Sequence, residues 1–176
     1  MILGERVGLR AVEKEDLPLM RDWRNQESMR RYFRESGELN LADQQAWFES
    51  SCHSGSRHRM FVIVDLAQKS AVGVCGLTNL NWLLRSAEIS LYIGRDAVYV
   101  DDVLAPDAMS VLMRHGFDNL NLHKVWAEVY ASDIPKKTLL ERLLFNRDGI
   151  LRDNGFYGGR YVDSIVYSLL DSEWRR

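Results

Sequence analysis

The sequence predicts an α+β fold, a mixed and mostly antiparallel sheet of about six to seven strands flanked by about four helices, and three observations carry that expectation. Apolar, β-branched runs fill the middle of the chain at Met60–Asp65, Ala71–Leu77 and Ala87–Gly94. A helical stripe of Met109, Leu112, Met113, Phe117 and Leu120 follows at three-to-four spacing. Strand, helix and strand signals then alternate over Val125–Tyr130, Asp133–Leu144 and Tyr161–Leu170.

From the start, Arg6–Val12 alternates polar and apolar residues as a half-buried strand does, and Glu13, Glu15 and Asp16 put acids where a helix dipole favours them. The helix opened there carries Leu17, Met20 and Trp23 on one side until Asn25 and Gln26 interrupt it. Asn40 with Asp43 three residues on resembles an N-cap pair and launches a helix that buries Trp47 and Phe48. Polar Ser50–Arg59 reads as a loop. Leu66–Ser70 joins the first two β runs as an antiparallel pair, and Ala87–Gly94 continues the meander. Pro106 suits the first turn of the long helix, where a missing N–H costs nothing. Asp133 is placed to cap the helix that runs through Leu144. No repeat, low-complexity tract or composition break divides the chain, so residues 1–176 are expected to form one domain.

Apolar residues make up 46% and charged residues 27% of the chain, a globular balance rather than that of a disordered or fibrous one. The formal net charge of −2 argues against a nucleic-acid partner, which calls for a basic face to displace counterions from phosphate. Cys52 and Cys75 have no further partner and read as reduced thiols. His53, His58, His115 and His123 lack ligand spacing, so no metal is expected. No secretory stretch opens the chain and no run approaches about 18 apolar residues, which points to a cytoplasmic protein with no membrane partner. Asn81-Trp82-Leu83-Leu84 is an apolar tip between two strands, suited to a homodimer contact or a substrate lid.

Several segments, in their order, carry a resemblance: Glu5–Arg10, Asp16, Trp23-Arg24-Asn25, Gly73–Leu77, Ala87-Glu88-Ile89, and the long tail from Phe117 to Trp174. Together they resemble the GNAT acetyltransferases over nearly the whole chain, especially the branch of ribosomal-protein N-terminal acetyltransferases and amino-sugar N-acetyltransferases. Trp23-Arg24-Asn25, Arg30-Arg31-Tyr32-Phe33 and Gln44–Phe48 look most like the amino-sugar side. The resemblance implies an acetyl-CoA-dependent N-acyltransferase of the GNAT fold, with acetyl-CoA as donor cosubstrate and a small-molecule primary amine, a nucleotide-linked amino sugar, as acceptor. The alternatives are acetylation of a protein's terminal amine, or a degenerate member kept as a binding or assembly module.

In such chemistry a neutral amine attacks the acetyl thioester, so the protein must hold the donor, take a proton and stabilise the leaving thiolate. The resemblance places the pantetheine arm on main-chain groups near Leu91, Tyr92 and Ile93, bonded as an added strand would be. It makes Glu88 the general base, directly or through water, against the rival reading that Glu88 pairs with an arginine such as Arg85. Trp23, Arg24, Asn25 and Arg30, with Arg31, fall on the acceptor side, where guanidinium forks match phosphate oxygens. The rival reading is core for Trp23 and an exposed helix end for the arginines.

Two departures from the family pattern follow. The donor's diphosphate is expected at Val103, Leu104 and Ala105, where related chains bare backbone N–H groups with glycines. Here the run is Val100-Asp101-Asp102-Val103-Leu104-Ala105, and only Ala105 fits. Two like charges 4 Å apart repel by about 4 kcal/mol at a dielectric near 20, whereas a helix amino terminus returns about 0.3–1 kcal/mol. Repulsion wins if both aspartates face inward; otherwise they face solvent or cap the helix. After Asp133, Leu140 stands where the family has a thiolate-protonating tyrosine, which leaves water, Tyr92 or Tyr130 for that step. Asp133 and Lys136 fall on the donor side, where Lys136 either meets a CoA phosphate or is solvated.

Overall fold

The strands of the computed structural model, which describes residues 1–35 and 37–175, are β1 (Ile2–Leu3), β2 (Val7–Ala11), β3 (Arg59–Asp65), β4 (Ser70–Asn81), β5 (Ser86–Ile93), β6 (Lys124–Tyr130), β7 (Asn146–Tyr157) and β8 (Arg160–Leu170). They form one sheet in the order β1-β2-β3-β4-β5-β6-β8-β7, antiparallel throughout except between β5 and β6. The α+β architecture is the expected one, with eight strands rather than six or seven. The additions are the two-residue β1 and the long edge strand β7. β7 was not among the strands named from sequence, because nearly every residue along it is exposed and it lacks the period-two alternation of a half-buried strand. Its pairing is imposed by β8.

The helices are α1 (Leu17–Asn25), α2 (Glu27–Arg30), α3 (Leu41–Ser51), α4 (Leu104–Arg114), α5 (Ile134–Arg142) and α6 (Asp171–Trp174). Local capping explains where two of them start. Asn40 accepts the Asp43 N–H at 2.9 Å while Asp43 accepts the Asn40 N–H at 3.0 Å, a reciprocal box at the head of α3. Asp133 accepts the Lys136 N–H at 3.0 Å and opens α5. That helix stops at Arg142 rather than Leu144, because Leu144 takes a left-handed φ of 63°.

Successive residues of β5 point to opposite faces and so join two cores. Ile89, Leu91 and Ile93 pack with Met109, Leu112 and Met113 of α4. Tyr92 faces the other way, into a cluster with Leu17, Met20 and Trp23 of α1 and Val62 and Val74. Gly94 lets the Trp23 indole lie against the end of β5, in space that any Cβ there would occupy. Helix α4 is also tied to the start of the chain: Asp107 accepts the N–H groups of Arg6 at 2.7 Å, Val7 at 2.9 Å and Glu5 at 3.3 Å.

The feature that positions a site is the parting of two strands. β5 and β6 pair only over Ser86–Glu88 against Lys124–Trp126, after which Ile89–Ile93 and Ala127–Tyr130 diverge. Among the described residues, no helix is long and apolar enough to cross a membrane, and no group of three or more His, Cys, Asp or Glu side chains could hold a metal ion. Cys52 and Cys75 are free thiols.

Candidate active site

A cavity of about 120 Å³ lies where β5 and β6 part, with Arg34, Glu88, Glu128, Tyr130 and Lys136 in its wall. The parallel register sets Glu88 opposite Trp126, so Glu88, Glu128 and Tyr130 project from the same face of the sheet. Glu88 accepts a hydrogen bond from Asn79 Nδ2 at 2.8 Å. It forms no ion pair among the described residues, and Arg85 donates instead to Asn121 Oδ1 at 3.2 Å. Burial pushes the Glu88 carboxyl above the usual glutamate range, against the Asn79 hydrogen bond, and the negative Glu128 nearby adds to the rise. Glu128 is held differently: Arg34 pairs with it, and Asn154 Nδ2 donates to it at 2.5 Å. Two carboxylates thus share one wall, one neutralised by a guanidinium and the other left with a raised proton affinity. That second state suits a group that takes a proton from an amine.

Lys136 closes the far side of the cavity. It is 7% exposed, lies 4.8 Å over the Tyr99 ring, and its ammonium donates to the Leu91 carbonyl of β5. Tyr99 donates to Asp133 Oδ2 at 3.0 Å and stacks on Tyr32 with ring centroids 3.9 Å apart. The Tyr99 carbonyl also accepts the Ile93 N–H at 2.8 Å. Two main-chain groups of β5 expected to meet the donor, at Leu91 and Ile93, are therefore already bonded within the chain. Lys136 is therefore neither solvated nor at an exposed phosphate site.

Burial lowers the Lys136 pKa from 10.5 to about 8, against the opposing pull of Asp133 and Cys75. The folded protein then releases this proton near pH 8 and the unfolded chain near 10.5, so in that window the unfolded state binds more protons and stability rises with pH. Buried thiols act oppositely: burial holds the protons of Cys52 and Cys75 beyond the ordinary 9, and above that pH they lower stability. The rise belongs to pH 8–9 and amounts to about 1 kcal/mol. Lys136→Met is expected to flatten it in urea unfolding across that interval. Equal slopes in the two proteins would assign the titration elsewhere.

At the head of α4 the other donor-side residues separate. Val103 is 57% exposed, while the Leu104 and Ala105 side chains are in the core. The Ala105 N–H is taken by Asp101 Oδ1 at 2.7 Å. Asp101 therefore caps the helix, and Asp102 lies exposed beside it. This rim does not fit a diphosphate, since it presents two acids and a side-chain-capped amide.

The expected acceptor residues also divide. Arg30 lines a second hollow of about 440 Å³ together with Arg31, Glu35, Phe156 and Tyr157, and Phe33, Arg34 and Tyr130 border both spaces. Trp23 is 5% exposed and packs edge-on to Tyr92, so it is core rather than acceptor wall. Arg24 pairs with Glu35 and lies over the Phe33 ring, behind the hollow. Asn25 clasps the main chain of Leu39 through both ends of its amide, at 2.8 and 2.9 Å, which is a structural duty. Tyr92 is a correction as well. Its hydroxyl is buried without a partner, burial pushes its pKa up, and it is absent from the cavity wall, so it is misplaced to protonate a thiolate. Tyr130 does reach both spaces, with Arg34 5.2 Å from its ring centroid. Arg34, Glu128 and Tyr99 were not singled out from sequence, and Tyr32 entered only within the Arg30–Phe33 segment. An acid and a tyrosine two residues apart on one strand, Glu128 and Tyr130, were the available signal.

Comparison with known proteins agrees with this geometry. The family model described as "Acetyltransferase (GNAT) domain" matches residues 6–146. A spermidine N(1)-acetyltransferase of Vibrio cholerae is 26% identical over 172 residues, covering 98% of this chain and 97% of that protein. An N-acetyltransferase of Bacillus licheniformis is 27% identical over 173 residues, covering 97% and 96%. The crystal structure of the Vibrio cholerae spermidine N-acetyltransferase in complex with CoA and spermine superposes with a TM-score of 0.88 at 26% identity, covering 97% of this chain and 99% of that one. The parted strands, the carboxylate between them and a match spanning most of the sequence lead to one assignment: the chain belongs to the acetyltransferase (GNAT) family and is an enzyme of the N-acetyltransferase type.

Proposed function

We propose that the protein moves an acetyl group from a thioester donor of the acetyl-CoA type to the primary amine of a small molecule, with Glu88 as general base. The observation that carries this reading is Glu88 itself, half-buried where β5 leaves β6, unpaired with any cation among the described residues and raised in proton affinity. The amine nitrogen attacks the thioester carbonyl, Glu88 takes the amine proton directly or through water, and the carbon–sulfur bond breaks to release a thiolate. Tyr130, whose ring borders both spaces, or water returns a proton to the sulfur.

The acceptor is assigned to the 440 Å³ hollow. Arg30, Arg31 and Arg34 stand with Glu27 and Glu35 in its wall, Arg34 paired with Glu128 and Arg30 3.5 Å from Glu38, and Phe156 and Tyr157 lie alongside. Guanidinium groups next to aromatic faces favour an amine that also carries phosphate and a ring, which supports a nucleotide-linked amino sugar. Polyamines are the second reading, motivated by the Vibrio cholerae relative, whose name specifies spermidine. A protein's terminal amine has less support from this mixed-charge hollow. The test is acceptor-dependent thiol release over three panels: amino-sugar nucleotides, polyamines and amino-terminal peptides. Turnover by the first alone is expected, turnover by spermidine alone would move the assignment to polyamines, and silence of all three would remove acyl transfer to these amines. The same reading includes self-association through the tip between β4 and β5, where Trp82, Leu83 and Leu84 are exposed, and light scattering at twice the chain mass would accord with it.

A further inference from the structure

We infer that this protein recognises its acyl donor through the uncharged thioester arm, and that Asp101 and Asp102 have removed the seat for the donor's nucleotide diphosphate. The inference rests on the acyl-transfer reading above and specifies its donor. An anion is ordinarily held at a helix amino terminus by N–H groups free to point at it. The head of α4 is the helix start that borders the donor side, and its Ala105 N–H is bonded to Asp101 Oδ1 at 2.7 Å. A phosphate oxygen arriving there would have to displace a carboxylate from a bond of ordinary length.

The surrounding hollow, about 190 Å³ between the head of α4 and α5, repeats the message. Asp101 and Asp102 are its acids, Pro106, Ile134 and Pro135 are among its apolar walls, and Arg142 is its single cation. Arg142 is turned to the chain itself, donating to the Asp102 carbonyl at 3.0 Å. Two carboxylates against one engaged guanidinium give a diphosphate no net electrostatic gain. Val103, 57% exposed, adds a branched side chain to the same rim.

An uncharged arm meets a different surface. The gap between β5 and β6 offers the Leu91 carbonyl, held by the Lys136 ammonium, and the aromatic wall of Tyr99 and Tyr32. An amide of the arm can replace the ammonium at Leu91 once Lys136 withdraws, an exchange that involves no anion. The donor specificity that follows is for an acyl thioester on a pantetheine-like arm, with the nucleotide half contributing no affinity.

The experiment compares CoA with pantetheine as ligands by calorimetry, acetyl-CoA with S-acetylpantetheine as donors by thiol release, and 3′,5′-ADP as competitor. In the wild-type protein the two ligands, and the two donors, are expected to agree within about threefold, and 3′,5′-ADP is expected not to compete. The double variant Asp101→Asn/Asp102→Lys keeps a capping oxygen while moving the rim from two negative charges to one positive. It is expected to bind CoA at least about tenfold tighter than wild type, with pantetheine unchanged. Should the double variant not fold, Asp102→Lys alone carries the test, with a gain of about threefold for CoA only. CoA binding the wild type about tenfold tighter than pantetheine, with 3′,5′-ADP competing, would overturn the inference, as would a folded variant that gains nothing for CoA. If neither donor releases thiol with any amine, the acyl-transfer reading fails on its own, and the calorimetric comparison of the unreactive thiols still decides the donor question.

Discussion

Glu88→Gln is expected to lower kcat for amine acetylation by about 10²–10⁴-fold, the usual worth of a positioned general base. The substitution keeps the shape of the side chain and an oxygen that can accept from Asn79 Nδ2, so the hydrogen bond that aims the group is retained while the proton-accepting charge is lost. Folding should not suffer. Burial and the proximity of Glu128 both disfavour the charged form of Glu88, and an amide relieves that cost. Steady-state thiol release with saturating amine, beside an unfolding curve, checks both halves. A kcat within about threefold of wild type would remove Glu88 from the chemistry.

The second large effect is on stability. Asp107→Ala strips one acceptor from three consecutive main-chain N–H groups, those of Glu5, Arg6 and Val7, and leaves α4 joined to the first strands by side-chain packing and by the Arg114 guanidinium, which donates to the Leu3 carbonyl at 2.6 Å. Orphaned amides cost about 1–3 kcal/mol each when buried, but these lie at a half-exposed edge where water reaches some of them. The expected loss is about 2–3 kcal/mol in all, read as a lower urea midpoint with an unchanged slope. Asp107→Asn, which keeps one acceptor oxygen, should recover part of it. If Ala and wild type unfold together, the tie at Asp107 is ornamental and α4 is held by Met109, Leu112 and their neighbours together with the Arg114 bond to Leu3.

Much of this fold is written locally and was legible for that reason. The β3, β4 and β5 runs are apolar enough to declare themselves, and the caps at Asn40 and Asp133 need only residues three positions away. β7 is the opposite case, a strand whose partner decides its conformation. The site follows the same division. Glu88 was reached through the resemblance carried by Ala87-Glu88-Ile89, but the ion pair of Arg34 with Glu128 joins residues 94 positions apart, and only the topology brings them together. Tyr92 was misread because parity gives the face of a strand and not the height along it. It shares a face with Glu88, yet four residues at about 3.3 Å each carry it roughly 13 Å up the strand, under Trp23 and Phe33. Lys136 gave no local sign of burial, since a lysine near the start of a helix normally keeps its head in water. Asp101 was weighed as a solvent-facing or capping acid, and the cap is what the chain adopts.

The central claim is that the carboxylate between the parted strands removes the amine proton. Its most direct test is the pH profile of kcat/KM with a weakly basic amine, one whose own proton is lost well below neutrality. The profile should show an acid limb above the ordinary glutamate range, in the direction burial gives Glu88, with the rate falling as pH drops through it. That limb should vanish in Glu88→Gln. An acid limb that persists unchanged in the variant would assign proton removal to another group and contradict the account.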